Sequence, residues 1–297
     1  MQTEYTVKAC GKVNLSLNIT GVQNGMHVLD SVTASVDIAD TVAVRFRRDG
    51  KIAVRFMPAE EQTFAPFETQ QIGEDNTVTK AVLFLQRFCP DLGADVTVRK
   101  GIPLAGGLGG SSADAAAVLS AAQQALPQVA GNAAMVRECV AIGSDVPVLL
   151  HGGGVRMQGI GQQLQAVPVP VLHLAIAHGT QGVLSKDAYR VFDEMYAQKR
   201  FCPTDTQALL RALQSGRVQE IAPHLQNALE RPACALCPSL SDTFAAVRDT
   251  GAAAVFLTGS GNCCCGLYES AAASAAAAAQ LRRQGLFATA ARAGAIE

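Results

Sequence analysis

Residues 103–114 contain four glycines and two serines, and they lie between a short apolar segment and a long alanine-rich run. The apolar segment at 96–98 predicts a strand, and residues 113 to about 122 predict a helix. Glycine allows the backbone to approach a ligand closely because it carries no Cβ atom. A helix that starts there directs its free N–H groups and the positive end of its dipole towards the same ligand. This order of elements therefore favours a di- or triphosphate site over a flexible turn.

Three common phosphate-binding signatures do not fit this glycine run. A P-loop requires a lysine directly after its last glycine, and no lysine follows here. The dinucleotide pattern G-x-G-x-x-G, started at Gly107, ends on Ser112 instead of a glycine. The H-R-D and D-F-G signatures of protein kinases are absent from the sequence. The run is therefore a phosphate loop of another type.

The N-terminal segment alternates between apolar and polar residues from 5 to 19. A period of two over this length predicts a long strand with one buried face. Lys12, Asn14 and Ser16 occupy even positions and are predicted to share the polar face. Such a face is commonly just solvated, so the pattern alone does not assign these residues a function.

The composition is typical of a soluble enzyme that acts on a small molecule. With 297 residues, 49% of them hydrophobic, the chain is long enough for two domains and a sizeable core. No apolar run is long enough to cross a membrane, and the first residues do not form a secretory signal, which predicts a cytoplasmic protein. The 24 basic and 25 acidic residues leave no strongly basic tract, which argues against nucleic acid as a partner. We expect a monomer or a homodimer.

Nine cysteines include a Cys234/Cys237 pair with metal-like spacing and three consecutive residues at 263–265. A zinc site would need a second Cys/His pair, and His224 is the only histidine nearby. Cysteine in an apolar run can pack as a small hydrophobic side chain. We therefore expect reduced structural thiols, typical of a reducing compartment, and no metal site.

The glycine run resembles the P-x-x-x-G-L-G-S-S loop of the GHMP family of small-molecule kinases. Residues 9–17 resemble the A-x-A-K-I-N-L-x-L opening of the branch of that family that phosphorylates a cytidine-diphosphate derivative of methylerythritol. Other segments resemble further motifs of this branch in the same order, namely residues 20–27, 75–81, 142–147 with 152–153, 227–230 and 257–261. On these motifs the chain is identified as a member of the GHMP family.

The resemblance implies an α+β, two-domain GHMP kinase fold. Residues 1–160 would form the N-terminal domain, similar to the second domain of a small-subunit ribosomal protein, with the ATP-binding loop and the catalytic pair. Residues 161–297 would form a ferredoxin-like C-terminal domain. Residue patterns predict strands at 5–19, 32–46, 52–56, 94–99, 171–177, 252–257, 263–268 and 286–292. They predict helices at 76–89, 112–126, 132–142, 186–198, 206–213, 239–248 and 270–284.

The resemblance also implies which residues carry phosphoryl transfer to an alcohol. It places Asp145 as the base that takes the hydroxyl proton, with Lys12 opposite to it to stabilise the developing alkoxide. It assigns substrate binding to Asn14, Met26 and His27. From the residues alone, Asp145 also fits the N-cap of a helix, and that alternative stays open.

ATP and Mg²⁺ are the cofactors that the resemblance implies. Mg²⁺ would bridge the β- and γ-phosphates, and Ser112 is its expected protein ligand. Lys100 would either lie close to the nucleotide base, as the resemblance implies, or be the exposed end of a strand. Asn76 would either contact the adenine or be the N-cap of a helix. The other residues assigned to ATP lie in the glycine run, and a second glycine loop follows in the C-terminal half: Pro103, Gly106, Gly107, Gly109, Gly110, Ser111 and Ser112, then Gly259, Ser260 and Gly261.

The chain departs from the branch pattern at the substrate motif and in the glycine run. Met26 stands where the branch has a tyrosine that stacks on cytosine, Val28 replaces a glutamate, and the two serine hydroxyls come one place early. These changes keep a GHMP kinase for a different alcohol open as an alternative. A serine hydrolase using Ser111 or Ser112 is a more distant alternative, because residues 109–113 only half match a nucleophile elbow.

Overall fold

The computed structural model describes residues 3–59, 72–127, 133–179, 182–197 and 201–295. The strands of these segments are β1 Glu4–Gln23, β2 Met26–Arg47, β3 Ile52–Pro58, β4 Gly93–Lys100, β5 Gly154–Gly159, β6 Gln163–Ala166, β7 Leu172–His178, β8 Gln226–Asn227, β9 Ala254–Leu257, β10 Cys263–Tyr268 and β11 Phe287–Ala293. The helices are α1 Thr77–Gln86, α2 Gly110–Ala125, α3 Ala133–Glu138, α4 Val146–His151, α5 Ser185–Tyr196, α6 Thr206–Ser215, α7 Val218–Ile221, α8 Glu230–Leu236, α9 Ser239–Arg248 and α10 Ala271–Arg283. Short 3₁₀ turns cover Cys139–Ala141 and Ala222–His224.

One mixed sheet runs through both halves of the chain. Its main path has the order β3-β4-β2-β11-β7-β10-β9, and β1 pairs with β2 off this path. Most pairs are antiparallel, while β3 with β4 and β1 with β8 are parallel. β11 pairs with β7 along its whole length and reaches β2 through Ala293 and Val36. The last strand of the described chain therefore links the two halves.

Helices pack on the sheet as two hydrophobic cores. The larger core buries the apolar faces of α1 and α2 against the first-half strands. The second core packs α5, α8, α9 and α10 against β7 and β10. Within the segments described, no helix is both long and apolar enough to cross a bilayer.

The long strand β1 forms as the alternation predicts, and its polar face is buried rather than solvated. Lys12, Asn14, Ser16 and Asn18 are each at most 4% exposed. The C-terminal half covers this face, because β8 pairs with β1 and Thr258 bonds the backbone N–H of Asn14. Three register shifts between β1 and β2 also interrupt the strict period of two.

Other boundaries depart from the sequence pattern in physically simple ways. In place of the helix predicted over 132–142, the α-helix α3 ends at Glu138 and a 3₁₀ turn follows it, shortly before Gly143. Residue 132 lies outside the described residues. The helix predicted over 186–198 is α5, and residue 198 also lies outside them. The glycine-flanked hairpin of β5 and β6 was not predicted. This hairpin spans residue 160, the predicted domain boundary, and its strand β5 pairs with β2 of the first half.

The cysteine run at 263–265 forms β10, where all three side chains are fully buried. Burial raises the pKa of the Cys263 and Cys264 thiols well above the usual value. The nine cysteines are free thiols. Among the residues that the structure describes, no three His, Cys, Asp or Glu side chains are grouped to hold a metal ion.

Candidate active site

A cavity of about 440 Å³ opens where the glycine run meets the start of α2. Both halves of the chain contribute to its wall. Most of the predicted site residues line it: Lys12, Lys100, Pro103, Gly106, Gly107, Gly109, Gly110, Ser111, Ser112, Asp145, Gly259, Ser260 and Gly261. Asn14, Met26, His27 and Asn76 are not among its lining residues.

The N-terminus of α2 faces this cavity. Gly109 is its N-cap in the left-handed conformation, with φ of 74°, and it provides no capping side chain. A Cβ atom at Gly109 would lie 3.3 Å from Cγ of Lys12, so the loop rests closely on the lysine side chain. The first turn of a helix of 16 residues thus presents free N–H groups and a positive dipole end to the cavity. This arrangement is suited to an anionic phosphate.

The second glycine loop packs backbone to backbone against the first. A Cβ atom at Gly107, where φ is 81°, would collide with the carbonyl oxygen of Thr258. A Cβ atom at Gly259 would lie 2.6 Å from the carbonyl oxygen of Gly107, and one at Gly261 would collide with the Gly107 nitrogen. Glycine is therefore required on both sides of this contact. The C-terminal half supports the phosphate loop directly.

Lys12 and Asp145 meet at the side of the cavity. Lys12 extends from β1 and Asp145 immediately precedes α4; the Nζ and Oδ2 atoms are 3.6 Å apart. Nζ also donates hydrogen bonds to Oδ1 of Asn14 at 2.6 Å and to the carbonyl of Gly107 at 2.9 Å. The lysine side chain is only 5% exposed, whereas that of Asp145 is 31% exposed. The carboxylate can therefore reach a hydroxyl group in the cavity, beside a fixed positive charge.

The helix-cap alternative for Asp145 is not supported by its contacts. Asp145 occupies the N-cap position of α4, but its side chain makes no capping hydrogen bond to the helix as described. The side chain lines the cavity instead. The backbone of Asp145 is therefore fixed by the start of α4, while its carboxylate oxygens make no capping hydrogen bond.

Asn14 connects Lys12 to the C-terminal glycine loop. Its Oδ1 accepts hydrogen bonds from Lys12 Nζ and, at 2.9 Å, from the backbone N–H of Gly259. Its Nδ2 donates to Oγ of Ser31 at 3.0 Å. The residue is 2% exposed. Both ends of the amide are engaged within the protein, so the geometry assigns Asn14 to holding Lys12 in place.

Replacing Asn14 with alanine should slow the reaction by disturbing Lys12. We expect Asn14→Ala to lower kcat about tenfold and stability by about 1–3 kcal/mol, because a buried N–H and an ammonium each lose an acceptor. Kinetics and thermal unfolding measure the two effects. Asn18→Ala is the control, since Asn18 is equally buried on β1 but bonds Thr204 and Thr206 instead of Lys12. Equal kcat losses in the two variants would contradict a specific role for Asn14.

His27 lies beside an aromatic group that the sequence analysis did not identify. Its ring stacks on Tyr189 with centroids 4.6 Å apart, and its Nε2 atom lies 2.8 Å from Oδ1 of Asp193. Burial, and to a smaller extent the Asp145 carboxylate, raise the pKa of Tyr189. Met26 is 49% exposed at the start of β2. An aromatic surface thus extends from His27 along α5, through Tyr189 and Phe192.

A sequence signal for this surface exists in α5. Tyr189, Phe192, Asp193 and Tyr196 are spaced at helical intervals of three and four, which places them on one face of a helix. His27, Phe192, Asp193 and Tyr196 line a second pocket of about 340 Å³. The pattern predicts the shared face, but only the fold brings that face to the hairpin of β1 and β2.

The structure shows a helix-capping contact for Asn76 and excludes one of the two alternatives for Lys100. Oδ1 of Asn76 accepts a hydrogen bond from the Thr79 backbone at 2.9 Å, so Asn76 is the N-cap of α1. Thr77 lines the cavity next to it. Lys100 is 4% exposed, which excludes a solvated strand end. Burial lowers the pKa of Lys100, but the charges of Asp114 and Asp40 outweigh it and raise that pKa above its usual value.

Two family models match the chain. Residues 76–153 match the GHMP kinases N terminal domain, and residues 209–285 match the GHMP kinases C terminal domain. The chain belongs to the GHMP kinase family. As a member of it, the protein is an ATP-dependent kinase whose phosphoryl acceptor is an alcohol.

Curated relatives of this GHMP kinase match most of its length. A 4-diphosphocytidyl-2-C-methyl-D-erythritol kinase of Cereibacter sphaeroides is 34% identical over 276 residues, covering 88% of each chain. The protein of the same name in Pelotomaculum thermopropionicum is 31% identical over 259 residues, covering 86% of each chain. A solved 4-(cytidine 5'-diphospho)-2C-methyl-D-erythritol kinase superposes with a TM-score of 0.79 at 28% identity, over 98% of this chain and 100% of that one. The predicted α+β GHMP kinase fold is confirmed.

Proposed function

We propose that this GHMP kinase transfers the γ-phosphoryl group of ATP to the 2-hydroxyl of 4-diphosphocytidyl-2-C-methyl-D-erythritol, in non-mevalonate isoprenoid precursor synthesis. The observation that carries the proposal is the aromatic surface of His27 and Tyr189, whose ring centroids are 4.6 Å apart. A cytosine ring can stack on such a surface while its linked alcohol reaches the catalytic pair. The relatives that bear this substrate in their names support the same assignment.

In this proposal ATP binds to the glycine run and to the N-terminus of α2. The free N–H groups of the first helical turn and the glycines of the loop suit its phosphates. Ser112 would hold Mg²⁺, which neutralises phosphate charge when bound. The Ser112 residue lines the cavity, and its hydroxyl lies beside Gly143, which has no side chain to cover it. Magnesium bound to a nucleotide commonly takes only one or two ligands from the protein.

Asp145 accepts the proton of the attacking hydroxyl group in this proposal. The oxygen then attacks the γ-phosphorus in line with the departing ADP. Lys12 stabilises the negative charge that develops on the attacking oxygen, since its ammonium is held 3.6 Å from the carboxylate. The hydrogen bonds to Asn14 and Gly107 prevent the lysine from turning away. A serine hydrolase is disfavoured, since no histidine is among the described residues that line the cavity.

Substrate preference can be tested directly. A coupled assay of ADP release would compare 4-diphosphocytidyl-2-C-methyl-D-erythritol with alcohols that lack the cytidine, such as homoserine and mevalonate. We expect efficient turnover only with the cytidine compound. Turnover of a simple alcohol without the cytidine compound would instead establish the alternative of a different acceptor, which the departure at Met26 favours.

Met26 should set the affinity for the base. Adding an aromatic ring there provides a second stacking face, worth about 0.5–1.5 kcal/mol, so Met26→Tyr should lower KM for the cytidine substrate roughly twofold to tenfold. KM for ATP should stay the same. Leu83→Tyr is the matched control, because Leu83 on α1 is 50% exposed and lines neither the cavity nor the pocket beside His27. An equal change in both variants would contradict a place for residue 26 beside the base.

A further inference from the structure

A buried cluster of one lysine and two aspartates lies behind the glycine run. Nζ of Lys100, at the end of β4, contacts a carboxylate oxygen of Asp40 on β2 and lies 2.8 Å from Oδ2 of Asp114 on α2. All three side chains are at most 2% exposed. One ammonium therefore bridges two carboxylates from different elements.

The two aspartates hold opposite ends of the glycine run: Asp40 by hydrogen bonds to its start, and Asp114 as a residue of the helix at its end. Oδ1 of Asp40 accepts hydrogen bonds from the backbone N–H groups of Gly101 and Ile102, at 2.6 and 2.8 Å, where the run begins. Asp114 lies in the first turns of α2, where the run ends. Lys100 connects the two, so the cluster fixes the separation between the exit of β4 and the N-terminus of α2.

The cluster also touches the wall of the cavity. Nζ of Lys100 lies 3.5 Å from where a Cβ atom of Gly110 would be. Ile102, held by Asp40, packs even closer to Gly110, with its Cγ2 atom 2.9 Å from the same point. A change in the cluster would therefore move the backbone of Gly110, which opens α2.

Stability alone does not explain these charges. Buried ion pairs are often replaced by apolar residues without loss of stability. Attraction of ATP does not explain them either, because the Lys100 ammonium is already engaged by Asp40 and Asp114. We propose that Asp40, Lys100 and Asp114 form a positioning element that holds the glycine run in its ATP-binding shape. This inference rests on the proposed use of that run for ATP.

Substitution at Asp114 separates positioning from electrostatics. By electrostatics alone, loss of the Asp114 carboxyl group should tighten ATP binding or leave it unchanged, because burial raises the pKa of this group and so reduces its negative charge near the phosphates. We expect the opposite, a rise of about tenfold in Kd for ATP, because Lys100 loses the tie to α2. Asp114→Asn keeps an oxygen acceptor for Lys100 and should bind ATP like the wild type. Asp114→Ser, whose hydroxyl is too short to reach Lys100, should behave like Asp114→Ala and serves if that variant does not fold.

Calorimetric titration with ATP and thermal unfolding would measure these effects. Arg156→Met is the control, since it breaks the paired hydrogen bonds to Asp30, both 2.8 Å, away from the glycine run. It should lower the melting temperature and leave Kd for ATP unchanged. Unchanged or tighter ATP binding by Asp114→Ala or Asp114→Ser would overturn this inference but leave the proposed function standing. Absence of ATP binding by the wild type would overturn the proposed function and this inference with it.

Discussion

Asp145→Asn is expected to lower kcat by about 100-fold or more, with little change in KM for ATP or for the alcohol. The amide has nearly the shape of the carboxylate but cannot take a proton from the hydroxyl group. Steady-state kinetics with the cytidine substrate measure both constants. Since the side chain makes no helix-capping bond in the described structure, the melting temperature should hardly change. A variant that melts earlier but turns over normally would identify Asp145 as a structural residue.

Lys12→Ala should impair the same chemical step, because the ammonium stabilises the charge that Asp145 creates. The double variant should be little slower than the slower single variant, so the two effects on the activation free energy should be far from additive. Lys8→Ala provides the control on the same strand, since Lys8 is exposed. Simple additivity of Asp145→Asn and Lys12→Ala would contradict a shared step.

Gly107→Ala is expected to abolish measurable ATP binding and to destabilise the protein by about 2 kcal/mol or more. The added methyl group would collide with the carbonyl oxygen of Thr258, so the two glycine loops would have to separate. The same residue carries the carbonyl that holds Lys12. Calorimetry with ATP and chemical unfolding would measure the two losses.

Gly216→Ala is the matched control for this substitution. Gly216 has a similar positive φ, 69° against 81° at Gly107, but a Cβ atom there would meet nothing within 4 Å. The strain of a left-handed alanine is therefore common to both variants, and the difference isolates the contact between the loops. Equal stability losses, with ATP affinity retained in Gly107→Ala, would contradict the interlocked arrangement.

The local parts of the site could be predicted from the sequence. The strand, glycine run and helix around Gly109 follow from residues that are neighbours in the chain, as does the alternation that places Lys12 and Asn14 on one face of β1. The pairing of Lys12 with Asp145 came from the family resemblance instead, because no periodicity relates residues so far apart. The structure brings these two side chains within 3.6 Å.

The parts that could not be predicted depend on long-range contacts. The polar face of β1 looks solvated in isolation, but in the fold Lys12 contacts Gly107, Asn14 contacts Gly259 and Asn18 contacts Thr206. Lys100 fits an exposed strand end until the fold brings Asp40 and Asp114 around it. Tyr189 lies on a predictable helix face, but its partner His27 is on a hairpin from the other half of the chain.

The position of β11 has a consequence for biosynthesis. This strand, the last in sequence among those described, lies between β2 and β7 in the sheet. On the ribosome, the earlier strands emerge well before the strand that joins them, and pairing over such a sequence separation is slow. The sheet that carries both glycine loops is complete only once β11 has paired with β2 and β7. We therefore expect full capacity to bind nucleotide only after β11 has been synthesised and has joined the sheet.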